Sequence, residues 1–364
     1  MISDMSLWLK LLLAMAFAAA VSFMMTPPVK RFAEKVGAID IPKDERRVHD
    51  HPIPRMGGLA IFIGFVLSLL IFVDVSTPVL GMKNGSVLRG IVVMGAIADI
   101  VNLNAWVKLA GQTVAAVVAI RCGIVFDAIS NPNAFSEQTT IVLANYLPVP
   151  LTLLWIVGCT NAVNLIDGLD GLAVGVSTIS SLTMLVVAMF VAEPSVAVIL
   201  AALTGACLGF IPYNFNPAKI FMGDVGSQLL GFVLSTVSIL GMFKFHAIIT
   251  FLVPLLALAV PLADTTFAFF RRIIHGQSPF HADKGHFHHR LLALGLNQKQ
   301  AVAVLYGVSA VLGLIAVLLA GPGALVRTVC AICAFIIALV VWLYVFWRNP
   351  NLHHRRDDSK PEQK

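Results

Sequence analysis

Apolar runs of about 18–20 residues, the length that crosses the hydrocarbon core of a bilayer as helix, follow one another along the chain with short polar segments between them. The pattern predicts an all-α, polytopic membrane protein with about eleven spans. These lie near 7–25, 57–74, 86–100, 105–122, 148–166, 169–191, 196–213, 226–243, 247–270, 302–321 and 325–347. The third is unusually short: only the uncharged stretch Gly90–Ala98 separates Arg89 from Asp99. At about 1.5 Å per residue it falls well short of a core of about 30 Å. Bilayer thinning or snorkelling of Arg89 would complete it. The first run, Leu7–Met25, reads as a retained helix, because its basic flank (Lys30, Arg31) follows it and more spans come after. Residues 1–348 form one transmembrane domain, and the charged tail 349–364 is expected to be disordered.

Charge decides how the spans are threaded. If all eleven cross and residues 26–56 face the cytoplasm, nineteen of the 25 Lys and Arg lie on that side, as the positive-inside rule asks. Without a third crossing, every later loop changes side. In the crossing arrangement the polar clusters 43–58, 99–108, 161–171, 214–227 and 271–299 share the cytoplasmic face. Polar residues converging at the ends of spans on one face suggest a site at the membrane surface.

Composition agrees: 58% of residues are hydrophobic and 12% charged, with a mean hydropathy of +0.89. A soluble domain has about 25% charged residues. The five cysteines (Cys122, Cys159, Cys207, Cys330, Cys333) fall in or beside apolar runs without ligand spacing and read as small packing residues. The net charge of +6 suits basic cytoplasmic loops and does not by itself imply nucleic acid.

Four motifs and one lone carboxylate carry the candidate chemistry. In Asn161–Gly175 (NAVNLIDGLDGLAVG), Asn161, Asn164, Asp167 and Asp170 recur at intervals of three between two apolar runs. Either they cap a polar turn, or they converge on a ligand along a helical path. In Asn214–Ser227 (NFNPAKIFMGDVGS), Asp224 is either a helix N-cap or an oxygen ligand for Mg²⁺, and Phe221 either stacks on a base or buries itself. The run His281–Arg290 (HADKGHFHHR) is a solvated basic loop, a zinc site or a clamp for phosphate and sugar. Zinc is disfavoured, because no cysteine accompanies the histidines. Lys43–Gly58 (KDERRVHDHPIPRMGG) is either a lipid-attracted basic segment or, from its Pro52/Pro54 and Gly57-Gly58 pairs, an ordered loop near the site. Asp99, an ionisable residue at the edge of a span, asks for a reason.

Five stretches, in order over nearly the whole chain, resemble the polyprenyl-phosphate N-acetylhexosamine-1-phosphate transferase family: PxPRxGG, the acidic motif at 98–102, NxxNxxDGxDGL, FMGDxGS and HADKGHFHHRL. The last resembles the branch that uses UDP-N-acetylglucosamine. The resemblance implies catalytic roles for Asp99, Asn102, Lys108 and Asp224, with Asp224 as magnesium ligand and Asn164 as its neutral helper. It implies nucleotide binding at Gly168, Asp170 and Phe221, with Asp167 in the same motif, and sugar and pyrophosphate binding at His286, His288, His289 and Arg290. Ala98 departs from the family pattern, which has the first aspartate of a DDxxD/N motif there.

The function so implied is transfer of GlcNAc-1-phosphate from UDP-GlcNAc to undecaprenyl or another polyprenyl phosphate, releasing UMP. This would be a first membrane step towards a cell-wall or surface polysaccharide, at a bacterial plasma membrane. Mg²⁺ is the expected cofactor, with Mn²⁺ as a substitute. Partners are the two substrates, membrane lipid and a second copy of the chain, with no nucleic acid. Alternatives are UDP-MurNAc-pentapeptide as donor, and a catalytically impaired member that only binds lipid phosphate or nucleotide sugar. A transporter fits less well, because transport sites lie near the bilayer midplane.

Overall fold

The computed structural model describes residues 5–42, 51–73, 78–79, 82–83, 105–126, 128–130, 140–142, 144, 146–190, 194–242, 249–276, 285–321 and 323–348. In chain order their helices are α1 (Leu7–Lys35), α2 (Gly58–Phe72), α3 (Ala105–Arg121), α4 (Pro148–Leu165), α5 (Leu172–Phe190) and α6 (Pro194–Asn214). There follow α7 (Gly223–Met242), α8 (Ile249–Ala257), α9 (Ala259–Ile274), α10 (Phe287–Ala293), α11 (Gln298–Ala320) and α12 (Gly323–Arg348). Three short antiparallel strand pairs complete the described residues: β1 (Ile39–Asp40) with β2 (Ile53–Pro54), β3 (Pro78–Val79) with β4 (Met82–Lys83), and β5 (Ala128–Ser130) with β6 (Thr140–Val142). Seven of the described helices (α1, α4, α5, α6, α7, α11 and α12) are long and apolar enough to cross a membrane, and α2 is a shorter apolar helix. The protein is an all-α, multi-pass membrane protein.

Helices α5, α6 and α7 are largely buried, whereas α12 exposes almost its whole apolar surface at the rim. In hydrocarbon there is little hydrophobic drive between helices, so close contact depends on small residues. Gly205 and Gly209 of α6 supply it: a methyl group added at either would stand 2.1 or 2.2 Å from the carbonyl oxygens of Met15 and Ala19 on α1. Gly64 of α2 and Gly231 of α7 make similar close approaches to α1 and α4.

Two expected spans take a different form. The first helix continues past residue 25 to Lys35, through Pro27 and Pro28. Its 29 residues extend about 43 Å, more than the hydrocarbon core requires, so it carries Lys30, Arg31 and Lys35 beyond the apolar layer. The run 247–270, expected to be one crossing, is instead broken at Leu258 into α8 and α9. Pro261 has no N–H to give to the carbonyl of Ala257, one turn back. That carbonyl accepts the Ser180 hydroxyl of α5 instead, at 2.5 Å, and the break is satisfied from a neighbouring helix. The short third span and the charged tail lie outside the described residues.

Candidate active site

Three helices meet at a polar seam. On α3, Lys108 and Gln112 are one turn apart and face α4 and α7. Lys108 Nζ donates to Asp224 Oδ2 at 2.5 Å, and Asn164 Nδ2 of α4 donates to Asp224 Oδ1 at 2.9 Å and to Ser227 Oγ at 2.7 Å. One turn before Asn164, Asn161 exchanges hydrogen bonds with Gln112, its Nδ2 donating to Gln112 Oε1 at 2.7 Å. Asp224 occupies the first turn of α7, where the helix dipole favours an anion. Gln112 was not anticipated from the sequence, although its place one turn beyond Lys108 is a usable signal.

The loop before α2 is zipped by its backbone to the FMGD segment. Phe221 N–H donates to the Pro54 carbonyl at 2.8 Å, and Gly57 and Gly58 donate to the carbonyls of Phe221 and Met222 at 2.9 and 2.8 Å. Residues 51–58 therefore form an ordered part of the site, while 43–50 lie outside the described residues. Gly223 has φ +70°, and a Cβ there would stand 2.9 Å from the Arg55 carbonyl oxygen, so the turn that presents Asp224 requires glycine. Phe221 is half-buried.

The turn between α4 and α5 supplies the next layer. Asp170 Oδ2 accepts from Asn216 Nδ2 at 2.9 Å and from the Ala218 N–H at 3.0 Å, and Asn216 also donates to Gln298 Oε1 at 2.7 Å. The Asp170 carboxylate thus ties the turn to the loop carrying Phe221. Tyr306 of α11 donates its hydroxyl proton to the Gly171 carbonyl at 2.5 Å, holding the turn from the other side. Asp167 is held up near 7, from an ordinary 3.8, first by burial and then by the charges of Asp224 and Asp170.

That shift has a consequence for stability. Between about pH 4 and pH 7 the folded chain keeps the Asp167 proton while the unfolded chain releases it, so this group's contribution falls as pH rises through that window. Asp167→Asn should remove the loss. In metal-free detergent solution, the melting temperature of the variant minus that of the parent should be near zero at pH 4 and grow up to pH 7. A difference that does not vary with pH would disprove the assignment.

The histidine segment docks on this turn. His288, on α10, is buried, and a methyl group on Gly168 would stand 2.5 Å from its Nε2. Burial, and the neighbouring His289 and His286, push His288 down to about 4, so it is neutral at pH 7. His286 and His288 lie nearly parallel with centroids 5.7 Å apart, and His289 follows at 4.3 Å from His288. Arg290 is exposed. Asp264 of α9 accepts from His286 and from the Phe287 N–H. It too was not anticipated, although a lone carboxylate in an apolar run was the available signal.

The structure therefore brings together Lys108, Asn164, Asp167, Gly168, Asp170, Phe221, Asp224, His286, His288 and His289, with Arg290 on the same short helix. Asp99 and Asn102 lie outside the described residues, as does His281. Among the described residues no group of three His, Cys, Asp or Glu side chains could hold a metal. What is present suits Mg²⁺, which takes one or two carboxylates and completes its shell with water and substrate oxygens. The oxygen ligands at the seam are the Asp224 carboxylate and the Ser227 hydroxyl, the Asn164 amide turning its NH₂ to both, and Asp224 stays 42% exposed despite its two hydrogen-bond partners.

The chain is similar to known proteins over most of its length. Residues 85–242 match the profile of glycosyl transferase family 4. A probable undecaprenyl-phosphate N-acetylglucosaminyl 1-phosphate transferase of Bacillus subtilis (strain 168) is 40% identical over 85% of this chain and 85% of its own length. A decaprenyl-phosphate N-acetylglucosaminephosphotransferase of Mycolicibacterium smegmatis is 35% identical over 89% of this chain and 86% of its own. A phospho-N-acetylmuramoyl-pentapeptide-transferase of Staphylococcus saprophyticus is 33% identical over 72% of this chain and 83% of its own.

Proposed function

Because the chain belongs to glycosyl transferase family 4, we propose that it transfers GlcNAc-1-phosphate from UDP-GlcNAc to a polyprenyl phosphate, undecaprenyl phosphate above all, and releases UMP. The coarser activity, phosphoglycosyl transfer to a polyprenyl phosphate, is what the names of the Bacillus and Mycolicibacterium relatives say of those proteins. The observation that carries the reading is the convergence of Lys108 and Asn164, from two helices, on the half-exposed carboxylate of Asp224 on a third. The positive-inside count favours a cytoplasmic site, and the relatives, all bacterial, favour a bacterial membrane.

In this reading an oxygen of the lipid phosphate attacks the sugar-bearing phosphorus, the bond to the UMP phosphate breaks, and UMP leaves. Phosphoryl transfer needs positioning and charge neutralisation more than covalent help. Asp224, with the Asn164 amide beside it, would hold Mg²⁺, whose chemistry here is to neutralise diphosphate oxygens. The Lys108 ammonium, already in contact with Asp224, stands where it can exchange the carboxylate for a phosphate oxygen. Arg290 adds a cation from the α10 side, and Phe221, half-buried beside the Asp224 turn, would stack on uracil. No general base is obligatory, since a phosphate monoester with a second pKa near 6 is already largely ionised at neutral pH.

The test is transfer of radiolabel from UDP-GlcNAc to polyprenyl phosphate by membranes holding the chain. Label should enter the lipid with Mg²⁺ and stop in chelator. Nucleotide-sugar binding without UMP release would instead support the impaired member that Ala98 suggests, and label entering only from UDP-MurNAc-pentapeptide would exchange the donor. Phe221→Ala should weaken UDP and UDP-GlcNAc binding alike, by about 1–3 kcal/mol, the worth of base–aromatic stacking, with metal dependence intact. Unchanged UDP affinity would return Phe221 to a packing role.

A further inference from the structure

Asp264 sits on α9 inside an apolar run, with its side chain 2% exposed. A carboxylate buried at such a place is costly and usually has an assignable use. Both its oxygens are engaged by one short stretch: Oδ2 lies 2.8 Å from His286 Nδ1, and Oδ1 accepts the Phe287 N–H at 2.6 Å. Two turns further along α9, Arg271 Nη1 donates to the Gly285 carbonyl at 2.8 Å. One helix thus holds residues 285–287 at three points. His286 is the N-cap residue of α10 and makes no capping bond with its own side chain. Asp264 supplies that bond from another helix.

The carboxylate does more than cap. A carboxylate only accepts hydrogen bonds, so the ring nitrogen facing it carries a proton. In neutral His286 this fixes the tautomer with N–H at Nδ1 and a lone pair at Nε2. A nitrogen with a lone pair takes a donor, such as a sugar hydroxyl or an acetamido N–H; the opposite tautomer would present N–H to that donor.

We infer that Asp264 is a positioning residue for the sugar half of the donor, acting through His286 by fixing which ring nitrogen carries the proton. The inference rests on the nucleotide-sugar reading above. A capping role alone would make the identity of the acceptor unimportant.

Asp264→Asn separates the two roles. The Phe287 N–H can only be met by the amide oxygen, which leaves the amide NH₂ facing Nδ1. Nδ1 must then be unprotonated, so the cap survives and the tautomer inverts. Full-length protein in nanodiscs, labelled with ¹⁵N-histidine, should show His286 (identified by loss of its signals in His286→Gln) with its proton on Nδ1 in the parent and on Nε2 in Asp264→Asn. The same variant should bind UDP as the parent does and UDP-GlcNAc about 10–100-fold more weakly, the scale of loss seen when a metal-bound histidine loses the partner that orients it. His286→Gln should lose a similar factor, and the double variant should lose little more than either one.

If UDP-GlcNAc affinity survives an inverted tautomer, or the tautomer does not invert, Asp264 is only a cap and the inference is overturned. Should Asp264→Asn not fold, additive losses from His286→Gln and Asp264→Glu, each measured alone and together, would overturn it as well. A parent chain that binds neither UDP nor UDP-GlcNAc overturns the donor reading and the sugar role together. That outcome is distinguishable, because the tautomer in the spectrum does not depend on any ligand.

Discussion

Asp224→Asn should reduce Mg²⁺-dependent transfer to background in membranes where the variant is inserted at the parent's level. The carboxylate is the meeting point of the seam. It takes the Lys108 ammonium on one oxygen and the Asn164 amide on the other, at the dipole-favoured start of α7. The amide variant keeps the shape and one acceptor oxygen but loses the charge that would hold the cation and the partner that holds Lys108. Losing a metal ligand at the transferring group costs several kcal/mol of transition-state stabilisation. Folding should be affected much less, because the site is half-exposed and the zipper from Pro54 to Met222 does not involve the carboxylate. The measurement is label transfer with and without Mg²⁺, alongside size-exclusion profiles of the purified variant. Turnover equal to the parent's would remove Asp224 from the chemistry.

Ala98→Asp should have the second large effect, in the opposite direction. The resemblance read from the sequence implies a pair of aspartates where this chain has Ala98 and Asp99. If the second carboxylate contributes positioning or proton transfer, restoring it should raise label transfer by about 10²–10⁴-fold over the parent. Two adjacent carboxylates repel, so the gain should be more sensitive to acid and to Mg²⁺ supply than the parent's activity is. At the centre of a bilayer the added charge would cost about 2.5–3.5 kcal/mol, and at an aqueous helix end much less. Normal insertion without any gain would transfer suspicion to the short stretch Gly90–Ala98, and lengthening it by two or three turns would be the next variant to assay.

The parts of the structure legible in the sequence are those set by local pattern. Long apolar runs give helices α4, α5, α6, α7, α11 and α12 close to their expected limits, because hydrocarbon leaves a backbone few other ways to satisfy its polar groups. The DG turn and the Asp224 turn are also local, since glycine and short polar side chains mark them. What was not legible depends on partners far away in the chain. The break at Leu258 needs Ser180 to satisfy the freed Ala257 carbonyl. Asp264 looks like an isolated carboxylate until α10 brings His286 to it. Asp170 sits in a motif read as nucleotide binding, and only the fold shows one of its carboxylate oxygens accepting from Asn216 and from the Ala218 N–H.

The backbone zipper between residues 54–58 and 221–222 also bears on how the enzyme is made. The ribosome delivers the first half of that ladder early and the second only after α6 has been synthesised. Until then the amides of Gly57 and Gly58 and the carbonyl of Pro54 have no permanent partners, and they must rely on water at the membrane surface. The ladder ends at Met222, two residues before Asp224, so closing it and setting the turn that carries Asp224 at the head of α7 are coupled in sequence and in space. A nascent chain stalled before residue 221 would be rich in helix, yet would lack the seam that Asp224 makes with Lys108 and Asn164.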